Sequence, residues 1–141
     1  MTVKIKKFKY EILLVLAIIS LLSSLILSFT PVPEFCDVDG GDCDVVYSSS
    51  YNYTFGIKNS YYGVCIFLFL SLLIYYQIKK PTNTKRNIIH IIIIFGTIVA
   101  SSFLYIQQFV LNAYCEYCVV IDVCMLLSLL VIIFNWKKWQ N

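Results

Sequence analysis

Four long apolar runs, separated by short polar stretches, organise the chain: residues 10–29, 61–78, 88–110 and 115–136. A bilayer core about 30 Å thick takes roughly 20 apolar residues per helical crossing, so each run predicts one transmembrane helix. The first is preceded by Lys4, Lys6, Lys7 and Lys9, a flank that signal peptides share. Its apolar stretch exceeds a signal core, and Ser28, Phe29, Thr30 and Pro31 make a poor small-residue cleavage site, so a retained helix is expected. The second run closes at Lys79, Lys80 and Pro81, cationic anchors followed by a helix break. The fourth ends in Trp136, Lys137, Lys138 and Trp139, an aromatic and basic signature of the membrane interface. The expected fold is an all-α integral membrane protein. It is a four-transmembrane-helix bundle forming one domain over residues 1–141, with residues 30–60 as an extracytoplasmic capping loop between helices 1 and 2 that contains a short helix.

Composition strengthens this picture. With 60% hydrophobic and 13% charged residues, and a mean hydropathy of +0.79, the chain is too apolar for an ordinary water-soluble domain. Charge then orients it. Ten of the eleven cations (Lys4, Lys6, Lys7, Lys9, Lys79, Lys80, Lys85, Arg86, Lys137 and Lys138) lie in the N-terminus, the second loop and the C-terminus. An even number of crossings puts these three on one side, cytoplasmic by the positive-inside rule. The 30–60 loop holds Lys58 against Glu34, Asp37, Asp39, Asp42 and Asp44, and so faces out. The basic residues are accounted for by topology, and the net charge of +3 implies no nucleic-acid partner.

The candidate chemistry lies in six cysteines. Cys36 and Cys43 sit in the outward loop, where Gly40 and Gly41 let the backbone turn enough for the sulfurs to meet. Cys115 and Cys118 form a C-x-x-C where the third helix hands over to the fourth, on the same side. Both pairs face a compartment where disulfides persist. A structural staple would explain the first pair, and half of a metal site the second. Zinc needs further ligands, however, and the single histidine, His90, belongs to the opposite end of the third helix, so no metal is expected. His90 reads as a packed or interfacial residue.

A C-x-x-C at a helix start favours a thiolate through unpaired N–H groups and the helix dipole. A neighbouring pair permits a relay through a mixed disulfide. Cys115, Cys118, Asp122 and Met125 are three, four and three apart, which gathers them along one helix face. An aspartate in an apolar helix is costly, so Asp122 is expected to face the bundle or a polar cavity, either to handle protons or to make a structural hydrogen bond. Cys65 and Cys124, inside membrane helices, read as small apolar fillers.

These residues together resemble the vitamin K epoxide reductase family, including its prokaryotic quinone-reducing members. The likeness runs from the first helix to the end of the fourth. It rests on the loop pair followed by Ser49 and the Phe55-Gly56 dipeptide, on N-S-Y-Y-G over Asn59 to Gly63, and on F-V-L-N-A-Y-C-E-Y-C over Phe109 to Cys118. The cysteine order, wide pair first and C-x-x-C second, is the reverse of that in the DsbB type of membrane disulfide catalyst.

The resemblance implies a thiol-quinone oxidoreductase that supports disulfide-bond formation. Cys36 would meet a thioredoxin-like (DsbA-type) partner, Cys43 would exchange with Cys115, and Cys118 would be the sulfur nearest the quinone. Asn59 matches an asparagine that hydrogen-bonds a quinone oxygen, and Ser49 matches the family's characteristic serine in a supporting place. Val46, Tyr47, Phe55, Tyr62 and Leu111 match pocket positions that would bury the ring of a menaquinone, ubiquinone or vitamin K-type quinone. Asp122 stands where animal members carry a substrate-contacting tyrosine, a departure that bears on epoxide reduction. With no fused thioredoxin domain after the fourth helix, the expectation is a stand-alone member whose partner acts in trans; the lack of a clear C-terminal retention signal favours a prokaryotic plasma membrane, with both termini cytoplasmic. Two rival readings stay open: a vitamin K epoxide reductase proper, and a non-enzymatic membrane scaffold stapled by disulfides.

Overall fold

A computed structural model of the chain describes residues 2–29, 45, 46 and 48–134. Its four long helices are α1 (Thr2–Phe29), α2 (Asn59–Lys79), α3 (Asn83–Tyr105) and α4 (Glu116–Phe134). All four are long and apolar enough to cross a membrane. At 1.5 Å per residue, α4 with 19 residues reaches about 28 Å and α2 with 21 about 31 Å, the thickness of a hydrocarbon core. Helix α1 starts at Thr2 rather than at the apolar run, because its lysines are good helix formers and nothing among them stops the turn. Helix α2 stops where Pro81 holds Lys80 out of the helical region (φ −134°, ψ 89°). Helix α3 continues into a π-helical segment, Ile106–Leu111.

The bundle is built around α1, which packs most extensively on α2 and next on α4; α3 packs on α4 and only lightly on α2. Its dry centre is Leu13, Ile74, Ile89, Ile93 and Ile132, each at most 1% exposed. Around that centre the interior is unusually polar. Ser20, Ser23, Ser24 and Ser28 of α1 are buried, while Phe69, Phe95 and Ile98 point outward. Lipid is as apolar as leucine, so large side chains gain nothing by turning inward, and small residues let helix backbones approach. Gly63 shows the effect. A Cβ there would lie 2.8 Å from Ser24 Oγ, so α1 and α2 touch at that turn. Gly96 is likewise covered by the Met125 side chain across the α3–α4 contact. The hydroxyls of Ser28, Thr97 and Ser128 donate to carbonyls one turn back, at 2.8, 2.7 and 2.8 Å, and Thr97 Oγ1 also lies 3.3 Å from the Met125 carbonyl.

The expectation for the two helix cysteines divides. Cys124 is buried at 7% exposure, but Cys65 is exposed on the outer side of α2, which corrects its reading as a packed filler. The buried side of α2 is set by Phe67, Leu70, Ile74 and Gln77, and Cys65 lies off that stripe.

At the end of the bundle opposite Lys79 and Lys80, the described part of the connecting loop holds more than a short helix. Val45 and Val46 are helical, Ser50–Asn52 form a 3-10 turn, and Tyr53–Thr54 pairs antiparallel with Ile57–Lys58. Phe55 (φ 54°) and Gly56 (φ 77°) make the two-residue turn, both left-handed as the right-handed twist of a tight hairpin demands. Cys36, Cys43 and Tyr47 lie outside the described residues.

Candidate redox site

Cys115 is the residue immediately before α4, and its carbonyl accepts the Val119 N–H at 2.9 Å, which is N-cap geometry. Cys118 is then the third residue of the helix. An N-cap side chain is directed at the second and third N–H groups of the helix, those of Tyr117 and Cys118. A sulfur in that place faces the first-turn N–H groups and the positive end of the helix dipole, which favour a thiolate, while burial and the Asp122 carboxyl act against it. Cys115 is 2% exposed, and Cys118 is half-buried.

The approach to this pair is shaped by the end of α3. Asn112 adopts the left-handed conformation (φ 48°, ψ 35°) and terminates the helix, a place where asparagine is among the few tolerated residues. Gln107, 3% exposed, holds the segment between this turn and α4. Its carbonyl accepts the N–H groups of Asn112 and Ala113, the latter at 3.2 Å, and its side-chain Oε1 accepts the Cys115 N–H at 3.1 Å. Gln107 is not among the site residues expected from the sequence. Its signal there is a glutamine inside a membrane run, where a polar side chain is costly in lipid and turns toward the bundle.

Asp122 lies on the same face, two turns from Cys115, whose sulfur is its electrostatic neighbour. It is 5% exposed, and its Oδ2 has no hydrogen-bond partner among the described residues. A buried, unsatisfied carboxyl oxygen is costly and marks a place where a ligand or water completes the structure.

The other expected site residues are more scattered. Asn59, the first residue of α2, is engaged by the hairpin: its Nδ2 donates to the Tyr51 carbonyl at 2.8 Å, and its Oδ1 accepts from Thr54 Oγ1 at 2.7 Å. Tyr62 Oη donates to the Thr54 carbonyl at 3.3 Å, and Ser49 Oγ to the Val46 carbonyl at 2.7 Å. Val46 and Leu111 are half-buried. Phe55 is 96% exposed at the hairpin tip, so the structure does not bring its ring into a buried pocket as its matched position implied. A strained turn puts it there: the two-residue loop fixes its backbone in the left-handed region and turns the side chain outward.

Four membrane-length helices with a C-x-x-C at the start of the last define a helical membrane protein with two cysteines at a helix N-terminus. The model of the vitamin K epoxide reductase family matches residues 11–133, most of the chain, and the chain belongs to that family. Its members are membrane oxidoreductases of disulfide and quinone chemistry. No curated protein and no solved structure matches the chain.

Proposed function

We propose that this protein oxidises a thioredoxin-like dithiol partner and reduces a membrane quinone. The observation that carries the reading is Cys115 at the N-cap of α4, with Cys118 one turn on and a buried carboxyl beside them, in a chain of this family. The balance is simple. Two thiols lose two electrons and two protons and form one S–S bond; the quinone takes both and becomes a hydroquinone. Cys118 is the donor nearest the acceptor, Cys115 receives electrons by exchange with Cys43, and Cys36 meets the partner protein. The oxidised partner then installs disulfides in other proteins. This chemistry runs on the extracytoplasmic face of a plasma membrane, with the basic end of the bundle in the cytoplasm, as the charge bias directs.

Two features support a quinone as the acceptor. The Asp122 Oδ2, without a partner among the described residues, offers a hydrogen-bonding group inside an apolar helix, from which Asp122 would hand a proton to the acceptor oxygen. Val46, Tyr47, Tyr62 and Leu111 supply apolar and aromatic cover, and Asn59 retains a second amide hydrogen beyond the one given to Tyr51.

The decisive experiment reduces the purified protein and adds menaquinone, ubiquinone or vitamin K epoxide. Acceptor reduction is followed alongside cysteine pairing by mass spectrometry. Reduction of a quinone with closure of Cys115 to Cys118 is expected. One fixed cysteine connectivity, unaffected by any acceptor, would establish a disulfide-stapled scaffold instead. Cys43→Ala should then abolish turnover with the protein partner and leave turnover with a small permeant dithiol intact; equal loss of both would overturn the shuttle.

A further inference from the structure

Helix starts commonly use a reciprocal arrangement in which the N-cap side chain reaches the third N–H, and the third side chain reaches back to the N-cap N–H. In α4 the third position is Cys118, whose short side chain and weakly accepting sulfur are a poor substitute for the Glu or Gln of that arrangement. The Cys115 N–H is nonetheless satisfied, by Gln107 Oε1 from the preceding helix at 3.1 Å. The same residue's carbonyl carries the N–H groups of Asn112 and Ala113. Three of the N–H groups between the end of the π-helical segment and α4 therefore converge on one buried glutamine. The wide π turn allows this, because its carbonyls reach five residues ahead rather than four.

We infer that Gln107 is the positioning residue of the C-x-x-C. It fixes the backbone of Cys115 from behind, so that the third place of the helix is released to a second sulfur. The inference rests on reading Cys115 and Cys118 as a redox pair. It assigns a side chain outside the cysteines, and outside the acceptor pocket, to the geometry of the exchange. A positioning role makes two demands: the side-chain acceptor oxygen matters, and the loss falls on the rate of the thiol step rather than on acceptor binding.

The test compares the full-length protein with Gln107→Leu, Gln107→Met and Gln107→Glu in the same detergent. The first readout needs no quinone: the reduced pair is closed by a small aromatic disulfide, which takes the two electrons and leaves as two thiols, and closure is timed by mass spectrometry. The second is quinone reduction driven by a small dithiol, resolved into kcat and KM. Leu and Met, which lack the acceptor, should slow closure and kcat about tenfold, the scale of one lost hydrogen bond, with KM for the quinone within twofold. Glu, which keeps an accepting oxygen, should restore both. Closure within twofold of wild type in Leu and Met overturns the inference. So does failure of Glu to restore either rate, because an effect on bulk packing would not follow the oxygen. Should Leu fail to fold, Met and Glu still give the comparison. A wild-type protein that closes its pair but reduces no quinone refutes the proposed function alone, and the closure series still decides the role of Gln107.

Discussion

At the basic end of the bundle, Gln77 donates from Nε2 to Tyr10 Oη (3.4 Å) and accepts the Thr82 N–H on Oε1 (3.1 Å). One buried glutamine thus ties α1, α2 and the turn into α3. At the cysteine end, Gln107 does comparable work for the loop into α4, but there oxygens of Asp122, Ser24 and Ser60 have no partner among the described residues. Each such group costs free energy of about 1–3 kcal/mol when buried unsatisfied. Ser20 and Ser71, nearer the middle of the bundle, also keep hydroxyls without a partner among the described residues, so what sets the cysteine end apart is that its open groups include a carboxyl oxygen on the face of Cys115 and Cys118.

The largest effect should come from removing the sulfur that this comparison places at the working end. Cys118→Ala is expected to abolish quinone reduction with either electron donor, while thermal stability in detergent stays near wild type. Measurable turnover in this variant would end the view that the cysteine end is the reactive one. Asp122→Asn keeps shape and burial but cannot pass a proton, and turnover should fall by about a hundredfold, the lower range of general acid catalysis. Full turnover at every pH would reduce Asp122 to a structural hydrogen bond.

Packing should separate the ends less sharply. Gly63→Leu wedges α1 from α2 at Ser24 and should cost about 2 kcal/mol by thermal or denaturant unfolding, with turnover falling in proportion to folded protein. Gly96→Ala meets only the flexible tip of Met125 and should cost less. At the basic end, Gln77→Leu removes both ties and should cost about 1 kcal/mol with turnover per folded molecule unchanged. A loss of activity there would show the two ends to be coupled.

Much of this was legible in the sequence, for a physical reason. Lipid imposes a single severe requirement, internally bonded apolar segments of fixed length, so four crossings could be read from apolar runs alone. The C-x-x-C at a helix start was legible because its spacing carries its chemistry. Burial of Asp122 followed from the cost of exposing a carboxyl to lipid. What escaped depended on phase or on closure. Helix α2 is apolar on nearly every side, so its sequence gives no stripe from which to tell that Cys65 faces out. What Gln107 binds became visible only when the π-helical turn and the left-handed Asn112 brought residues eight apart into contact. The hairpin was hidden because Phe55 is a poor residue for the place it occupies.

That last mismatch supplies the smallest and most local prediction. The first central residue of such a turn wants asparagine, aspartate or glycine, and a bulky L residue held at φ 54° is strained. Its ring recovers little by burial, being 96% exposed. Phe55→Asn should therefore tighten the hairpin by about 0.5–1 kcal/mol, read as slower amide exchange across the Tyr53–Lys58 pair. Overall stability should barely move, because the pair is local, its described hydrogen bonds to α2 running through Asn59 and Tyr62. The informative quantity is KM for the quinone. If the acceptor is held by Asp122 and the half-buried residues near the C-x-x-C, KM stays within twofold while exchange slows. A KM that rises as the hairpin tightens would mean that the ring folds over the bound acceptor. The cysteine end would then hold an element set by its ligand, in contrast to the Gln77 ties, which the chain makes for itself.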